Sequence, residues 1–289
     1  MFSLKEKAIK LIFACLAFSC LLFLLAIVAA LFLESYPLFL KVNIFKFIFG
    51  KSWYPTFDPP EFGILPLISG TFLVSVGALF ICIPLGIGSA LYIHELAPEK
   101  SRKILKPLVE FLGAVPSIVF GFFALTIVAP FIAKTFNLPT GLCALTASLV
   151  LGIMAIPTIT SISEDALSFV PNSFREASYA LGANKFQTMF SIIVPAASSG
   201  ILTSIILATG RIVGETMTVL MASGQAAVIA KSFFSPVRPM TATIASEMGE
   251  AASGSLHYHS LFAIALILFL ITLAFNILAE KINQKYTKK

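Results

Sequence analysis

The sequence predicts an all-α polytopic membrane protein with six transmembrane helices. Three observations carry that expectation. The chain is 58% hydrophobic and only 12% charged, against about 25% charged residues in an average soluble domain. Its apolar residues gather in runs close to or longer than the roughly 20 residues that cross a bilayer core. Its charges fall mostly between those runs.

The first run covers about residues 11–33. It is too long for a cleaved signal and lacks a small-residue cleavage site, so it reads as a permanent helix. The segment "YPLFLKVNIFKFIFGKSWYPTFDPPEFG" follows. Its aromatics and prolines suggest an ordered external loop on the membrane surface, with Trp53 and Tyr54 suited to the interface. Further spans are expected at about 64–93, 104–133, 138–163, 196–222 and 258–279. Spans two to four each hold an interior proline, Pro84, Pro116 and Pro157. Proline removes a helix hydrogen bond and bends the helix, which membranes tolerate where neighbours or cavities satisfy the freed backbone. Three such prolines favour irregular helices around an interior space.

Between spans four and five lies "SEDALSFVPNSFREASYALGANKFQTMFSIIVPAASS". Pro171, Asn172 and Ser173 start a helix at about 171–183. Phe174, Ala177, Ala180 and Leu181 recur at helical spacing, and Gly182 stops it. Only Arg175 and Lys185 supply positive charge, fewer than a membrane-surface anchor uses. Docking into a groove on a partner fits better. The expected organisation is an N-terminal helix with its external loop at 1–63, a five-helix core at 64–282 that includes this short helix, and a tail at 283–289.

The net charge of +6 reflects orientation in the membrane and not nucleic-acid binding. With the N-terminus in the cytoplasm, thirteen Lys and Arg fall inside and six outside, leaving Arg211 within a span. The positive-inside rule then puts both termini in the cytoplasm, with lipid around the bundle. Cys15, Cys20, Cys82 and Cys143 lie in apolar segments without a Cys-x-x-Cys, so packing explains them better than disulfides or zinc. His257 and His259, two apart, would point in different directions on a helix, so no metal site is expected. "FGKS" at 49–52 lacks the first glycine of a phosphate loop, with Phe45 in its place. His94 marks the inner interface, and Glu110 suits a capping or interfacial role near the start of span three. Glu247 and Glu250 belong to a short outer helix, either as a solvated face or near an outer mouth.

"ATGRIVGETMTVL", Ala208 to Leu220, puts two charges inside span five. Arg211 lies ~22 Å along the helix from residue 196 at ~1.5 Å per residue. A charge at that depth costs about 2.5–3.5 kcal/mol on insertion scales. Pairing with Glu215 at i+4 recovers part of this, yet buried ion pairs often do no better than apolar residues. Ser204, Arg211, Glu215 and Thr218 would share one helix stripe, beside a Gly210-x-x-x-Gly214 that permits close helix contact. A pathway-lining stripe at a subunit interface is one reading. An internal salt bridge that fixes packing is the other.

"EASYALGANKFQTMFSIIVP" resembles the EAA motif of ABC importer permeases, with Glu176, Ala177, Gly182, Ile192 and Pro195 in register; Ser178 and Val194 replace Ala and Leu. The resemblance implies a type I ABC importer permease fold in which this helix couples to a cytoplasmic ATPase, with Gly182 making the turn. "FGILPLISGTF", "GAVPSIVFG", "GRIVGETMTV" and "TATIASEMGEA" are similar to the C-type permease subunits of high-affinity phosphate (Pst) importers, from about residue 50 to the C-terminus. That family implies a heterodimer with an A-type permease, two ATP-binding cassette subunits and an extracytoplasmic phosphate-binding protein. ATP and magnesium belong to the ATPase subunits, and no cofactor is expected on this chain.

The expected function is thus half of a phosphate translocation pathway, with Arg211, Glu215, Ser204 and Thr218 along it and Glu176, Ala177 and Gly182 at the ATPase contact. Arginine offers planar donors to an oxyanion. Phosphate near neutral pH keeps a proton that an ionised Glu215 can accept, whereas sulfate has none to give. A permease for molybdate or sulfate is the alternative within the class. An ion-coupled carrier would need no docking helix. No Ser/His/Asp set, paired-His motif or cysteine cluster lies within the spans to suggest an enzyme.

Overall fold

The computed structural model describes residues 4–287, with side chains over residues 9–284. The basic side chains of Lys5, Lys7, Lys285, Lys288 and Lys289, counted above for orientation, lie outside that range. Helix α1 (Leu4–Phe39) is followed by a short helix α2 (Ile44–Phe49). Strands β1 (Trp53–Tyr54) and β2 (Glu61–Phe62) then pair antiparallel, Trp53 opposite Phe62. α3 (Leu65–Leu91) carries Pro84 within it and ends in a π-helical turn at Tyr92–Leu96. After it come α4 (Glu99–Ala114), α5 (Ser117–Phe123), α6 (Ala129–Phe136) and α7 (Ala144–Ser168). The chain continues through α8 (Asn172–Ala180), α9 (Lys185–Thr188), α10 (Val194–Ala196), α11 (Ser198–Gly214), α12 (Met217–Ala222), α13 (Met240–Glu247) and α14 (Leu256–Thr287).

Among the described residues, five helical stretches are long and apolar enough to cross a bilayer: Ile9–Phe39, Leu65–Leu96, Ser117–Phe136, Ala144–Ser168 and Leu256–Gln284. The sixth is a bent pair, Lys185–Ala196 and Ser198–Gly214, meeting at 68°. Counted as one span, the bent pair makes six crossings, an even number that returns both ends of the described chain to the α8 side, opposite the β hairpin.

The third span departs from expectation. It is not one helix over 104–133. Pro116 breaks the chain after Ala114, so α4 becomes a separate amphipathic helix and the span begins at Ser117. Glu110 therefore sits in the body of α4, exposed and well past its start at Glu99, and caps no helix.

α3 and α7 form the centre. Their backbones approach closely because small residues face each other, the usual packing mode where lipid removes any hydrophobic drive between helices. A Cβ on Gly86 would stand 2.7 Å from Ile159. Ser148 donates to the Val74 carbonyl at 3.2 Å and Thr160 to the Gly86 carbonyl at 3.2 Å. Val74, Ala78, Leu151, Met154, Ile159, Ala208, Ile212 and Val219 make one apolar core across α3, α7, α11 and α12. By contrast, α1 packs along α14 and leaves most of its length exposed. Only its final turns are enclosed, with Ser35 and Leu38 inaccessible. Cys15 and Cys20 lie exposed on α1, and Cys82 and Cys143 are buried free thiols.

Candidate functional site

The two charges of the fifth span do not meet as a helical pair. α11 stops at Gly214, and Glu215 is extended at φ −67° and ψ 133°. The i+4 geometry is therefore lost, and among the described residues no ion pair joins Arg211 to Glu215. Arg211, half-buried, instead donates to Thr158 Oγ1 on α7 at 3.0 Å. Glu215 Oε1 accepts from the Thr218 amide at 3.2 Å, so the carboxylate caps the first turn of α12, where a negative charge is favoured. Its backbone carbonyl accepts from Thr241 at 2.7 Å.

Ser204 and Thr218 turn inward. Both are fully buried. Ser204 Oγ lies 2.9 Å from Ser163 Oγ, and Thr218 Oγ1 donates to the Ser117 carbonyl at 3.1 Å. The single polar stripe expected along span five is thus divided: Arg211 and Glu215 stay half-accessible, while Ser204 and Thr218 tie α11 and α12 to the core. The face beside Arg211 is open. No atom comes within 4 Å of where a Cβ would stand on Gly210 or Gly214.

α8 forms where the Pro171–Gly182 signals put it. Gly182, at φ +83°, takes the left-handed conformation that glycine adopts without strain. The chain restarts at once, with Asn184 and Gln187 exchanging capping hydrogen bonds at 2.9 Å. Glu176, Ala177 and Gly182 are exposed, as are Phe174, Tyr179 and Leu181, the last 90% accessible. Ser178, which stands where the motif has alanine, is buried against Thr188 at 2.9 Å. One flank of α8 is therefore held by the chain, and the other is free.

Two polar clusters escaped the sequence reading. At the α8 end, Glu164 on α7 is 1% exposed. It accepts from Arg102 at 2.6 Å and from Lys106, and lies 3.2 Å from His94 Nδ1. Hydrogen bonding to Glu164 holds the Lys106 ammonium above its usual range. At the hairpin end, Glu247 accepts from Arg238 at 2.6 Å and from the Trp53 indole at 3.1 Å, with His257 Nε2 at 2.9 Å. Trp53 is thus a buried core residue and not an interfacial anchor, and Glu247 is neither free nor solvated. His259 faces the Glu34 carbonyl at 2.7 Å. Contacts 58 to 194 residues apart leave no periodic trace.

Residues 82–288 match the family described as binding-protein-dependent transport system inner membrane components. The chain is 37% identical over 244 residues to the "Probable ABC transporter permease protein YqgH" of Bacillus subtilis, covering 84% of this chain and 79% of that one. It is 36% identical over 247 residues to the phosphate transport system permease protein PstC of Mesorhizobium japonicum, covering 79% and 75%. Among solved structures, a bacterial alginate ABC transporter in complex with its pentasaccharide-bound periplasmic protein superposes with a TM-score of 0.68 at 13% identity, over 99% of this chain and 98% of that one. The MetNI methionine ABC transporter, inward facing, gives 0.61 at 16% identity over 77% and 97%.

Proposed function

This chain belongs to the binding-protein-dependent transport system inner membrane component family, and on that premise we propose that it is the C-type permease subunit of an ATP-driven phosphate importer. Its partners on this reading are an A-type permease, two ATP-binding cassette subunits that hold ATP and magnesium, and an extracytoplasmic phosphate-binding protein. The α8 end and both termini face the cytoplasm of a prokaryotic cell. Glu176, Ala177 and Gly182 lie at the ATPase contact. The chain itself carries out no catalysis and holds no cofactor.

The observation that carries the pathway reading is the placement of Arg211. A structural arginine inside a membrane helix pairs with a carboxylate or with backbone carbonyls. This one has a neutral hydroxyl partner and stands half-accessible where α11 breaks, beside the open Gly210 and Gly214. A second permease approaching that face would leave the guanidinium aimed into a shared passage, where it attracts an oxyanion. Glu215 engages the Thr218 amide through Oε1, which leaves Oε2 for the proton that phosphate retains near neutral pH. A fully ionised sulfate cannot satisfy that acceptor, and once a second permease closes the passage around it, an acceptor left unpaired there discriminates strongly. Nearby negative charge also keeps binding weak enough for release. Ser204 and Thr218 serve by fixing α11 and α12.

ATP-driven uptake of labelled phosphate into vesicles holding the complex, with and without this chain, tests the reading. Uptake requires the chain and is not inhibited by sulfate. Uptake of sulfate or molybdate in preference to phosphate would move the assignment to another oxyanion.

A further inference from the structure

Arg175 on α8 is anchored at both edges of its guanidinium. Nη1 donates to the Val170 carbonyl at 3.0 Å, in the turn that precedes α8, and to Asn172 at 3.2 Å. Nη2 donates to Glu95 Oε1 at 2.6 Å and lies 3.3 Å from His94 Nε2. The Arg175 and Glu95 side chains are only 16% and 10% exposed, so water screens this pair much less than it does surface pairs. Glu95 and His94 sit in the π-helical turn that ends α3. The other ring nitrogen of His94 faces Glu164 on α7 at 3.2 Å and Arg102 at 3.0 Å. The contacts therefore run without a gap from α8 to α3 to α7.

α7 carries the chain of contacts further. Thr158, the partner of Arg211, lies six residues from Glu164 on the same helix, ~9 Å along its axis at ~1.5 Å per residue. Without Arg175, α8 would keep its packing at Ser178 and Thr188 but lose its charged attachment to α3. A push on α8 would then be absorbed locally.

We propose that Arg175 is a positioning residue that locks α8 to the Glu95–His94 turn of α3 and, through Glu164, to α7, so that displacement of α8 reaches Arg211. This rests on the reading of α8 as the ATPase-docking helix. Contact continuity alone does not establish coupling; a perturbation that separates two outputs does.

The test uses the complete importer, reconstituted in vesicles, with Arg175→Ala, Arg175→Lys, Glu95→Gln and the Arg175→Ala/Glu95→Gln double variant. Retention of the ATPase subunits, ATP hydrolysis and labelled phosphate uptake are measured on the same preparations. In Arg175→Ala the ATPase subunits stay bound and hydrolysis continues, while uptake per ATP falls by about 5- to 150-fold, the span of ordinary coupling energies. Glu95→Gln gives the same pattern. The double variant falls no further than Arg175→Ala, because both changes cut one link. Arg175→Lys, which can still reach Glu95, recovers part of the ratio. If uptake and hydrolysis fall in parallel, or uptake per ATP stays unchanged, Arg175 is only a local staple and the proposal is overturned. Should Arg175→Ala fail to assemble, Glu95→Gln decides by the same criterion. Absence of ATPase subunits from the wild-type complex would instead overturn the docking reading of α8.

Discussion

Arg211 donates to Thr158 Oγ1 at 3.0 Å across the contact between α11 and α7. The bond aims the guanidinium without neutralising it, since a hydroxyl carries no charge. Arg211→Gln keeps an amide that can still reach Thr158 but removes the positive charge. Phosphate uptake should drop by about 100-fold or more, as when a preorganised donor to an anion is lost. The complex should still assemble on affinity purification. Persistent uptake in this variant would remove Arg211 from the pathway.

Glu215→Gln replaces an acceptor with a group that can also donate. The half-accessible carboxylate oxygen is then no longer selective for a protonated anion. The ratio of sulfate to phosphate uptake, measured in competition, should rise by about tenfold or more, because an acceptor that the closed passage would leave unpaired discriminates strongly. An unchanged ratio would mean that selectivity lies elsewhere.

Gly182 holds φ +83° immediately after α8. A β-branched side chain there carries the left-handed penalty of about 1–2 kcal/mol, with no neighbour within 4 Å to clash. Gly182→Val should therefore leave the membrane bundle folded and disturb only the orientation of α8. Co-purification of the ATPase subunits should fall by about 5- to 30-fold, the equilibrium change that such an energy produces. Retention at wild-type levels would argue against α8 as the docking element.

Glu247 collects three donors at the hairpin end: Arg238, Trp53 and His257. Glu247→Ala would strand the arginine and the indole in a site where the arginine side chain is only 25% exposed. Removing one partner of such a pair costs about 3 kcal/mol, so the thermal midpoint of the purified complex should fall clearly. Glu247→Gln, which keeps an acceptor for the indole, should lose less. Equal midpoints for all three proteins would show that the cluster contributes nothing.

The spans and the short helix at 172–180 were legible because hydropathy, proline and glycine act locally. Pro171, Gly182 and the apolar spacing of Phe174, Ala177 and Leu181 needed no long-range information. Two local readings erred for identifiable reasons. The apolar second half of α4, around Leu108 and Phe111, merges with α5 in any hydropathy window, and only the turn at Pro116 separates them. Gly214 and Glu215 continue a helical pattern on paper, but the chain extends at Glu215, where its carboxylate caps α12 and its carbonyl receives Thr241. The partners of Trp53, Glu164 and Glu247 could not be read. Glu164 and Trp53 are defined by partners 58 to 194 residues away; Glu247 meets Arg238 and His257 only 9 and 10 residues off, but a lone charge or aromatic carries no sign of which partner it will meet.

α1 offers a mostly apolar stretch of 31 residues from Ile9 to Phe39, about 46 Å at ~1.5 Å per residue, where the hydrocarbon layer is only about 30 Å deep. The surplus need not be absorbed by leaning. Its last turns, from Ser35 on, are the part enclosed by protein, where Phe39 meets Phe47 edge-on and His259 holds the Glu34 carbonyl. The first helix therefore has two parts: a long exposed length left for lipid, and a top clamped between α2 and α14. Because β2 runs straight into α3 and Trp53 is pinned to Glu247, the hairpin keeps its place in the fold whatever length of α1 a given bilayer covers.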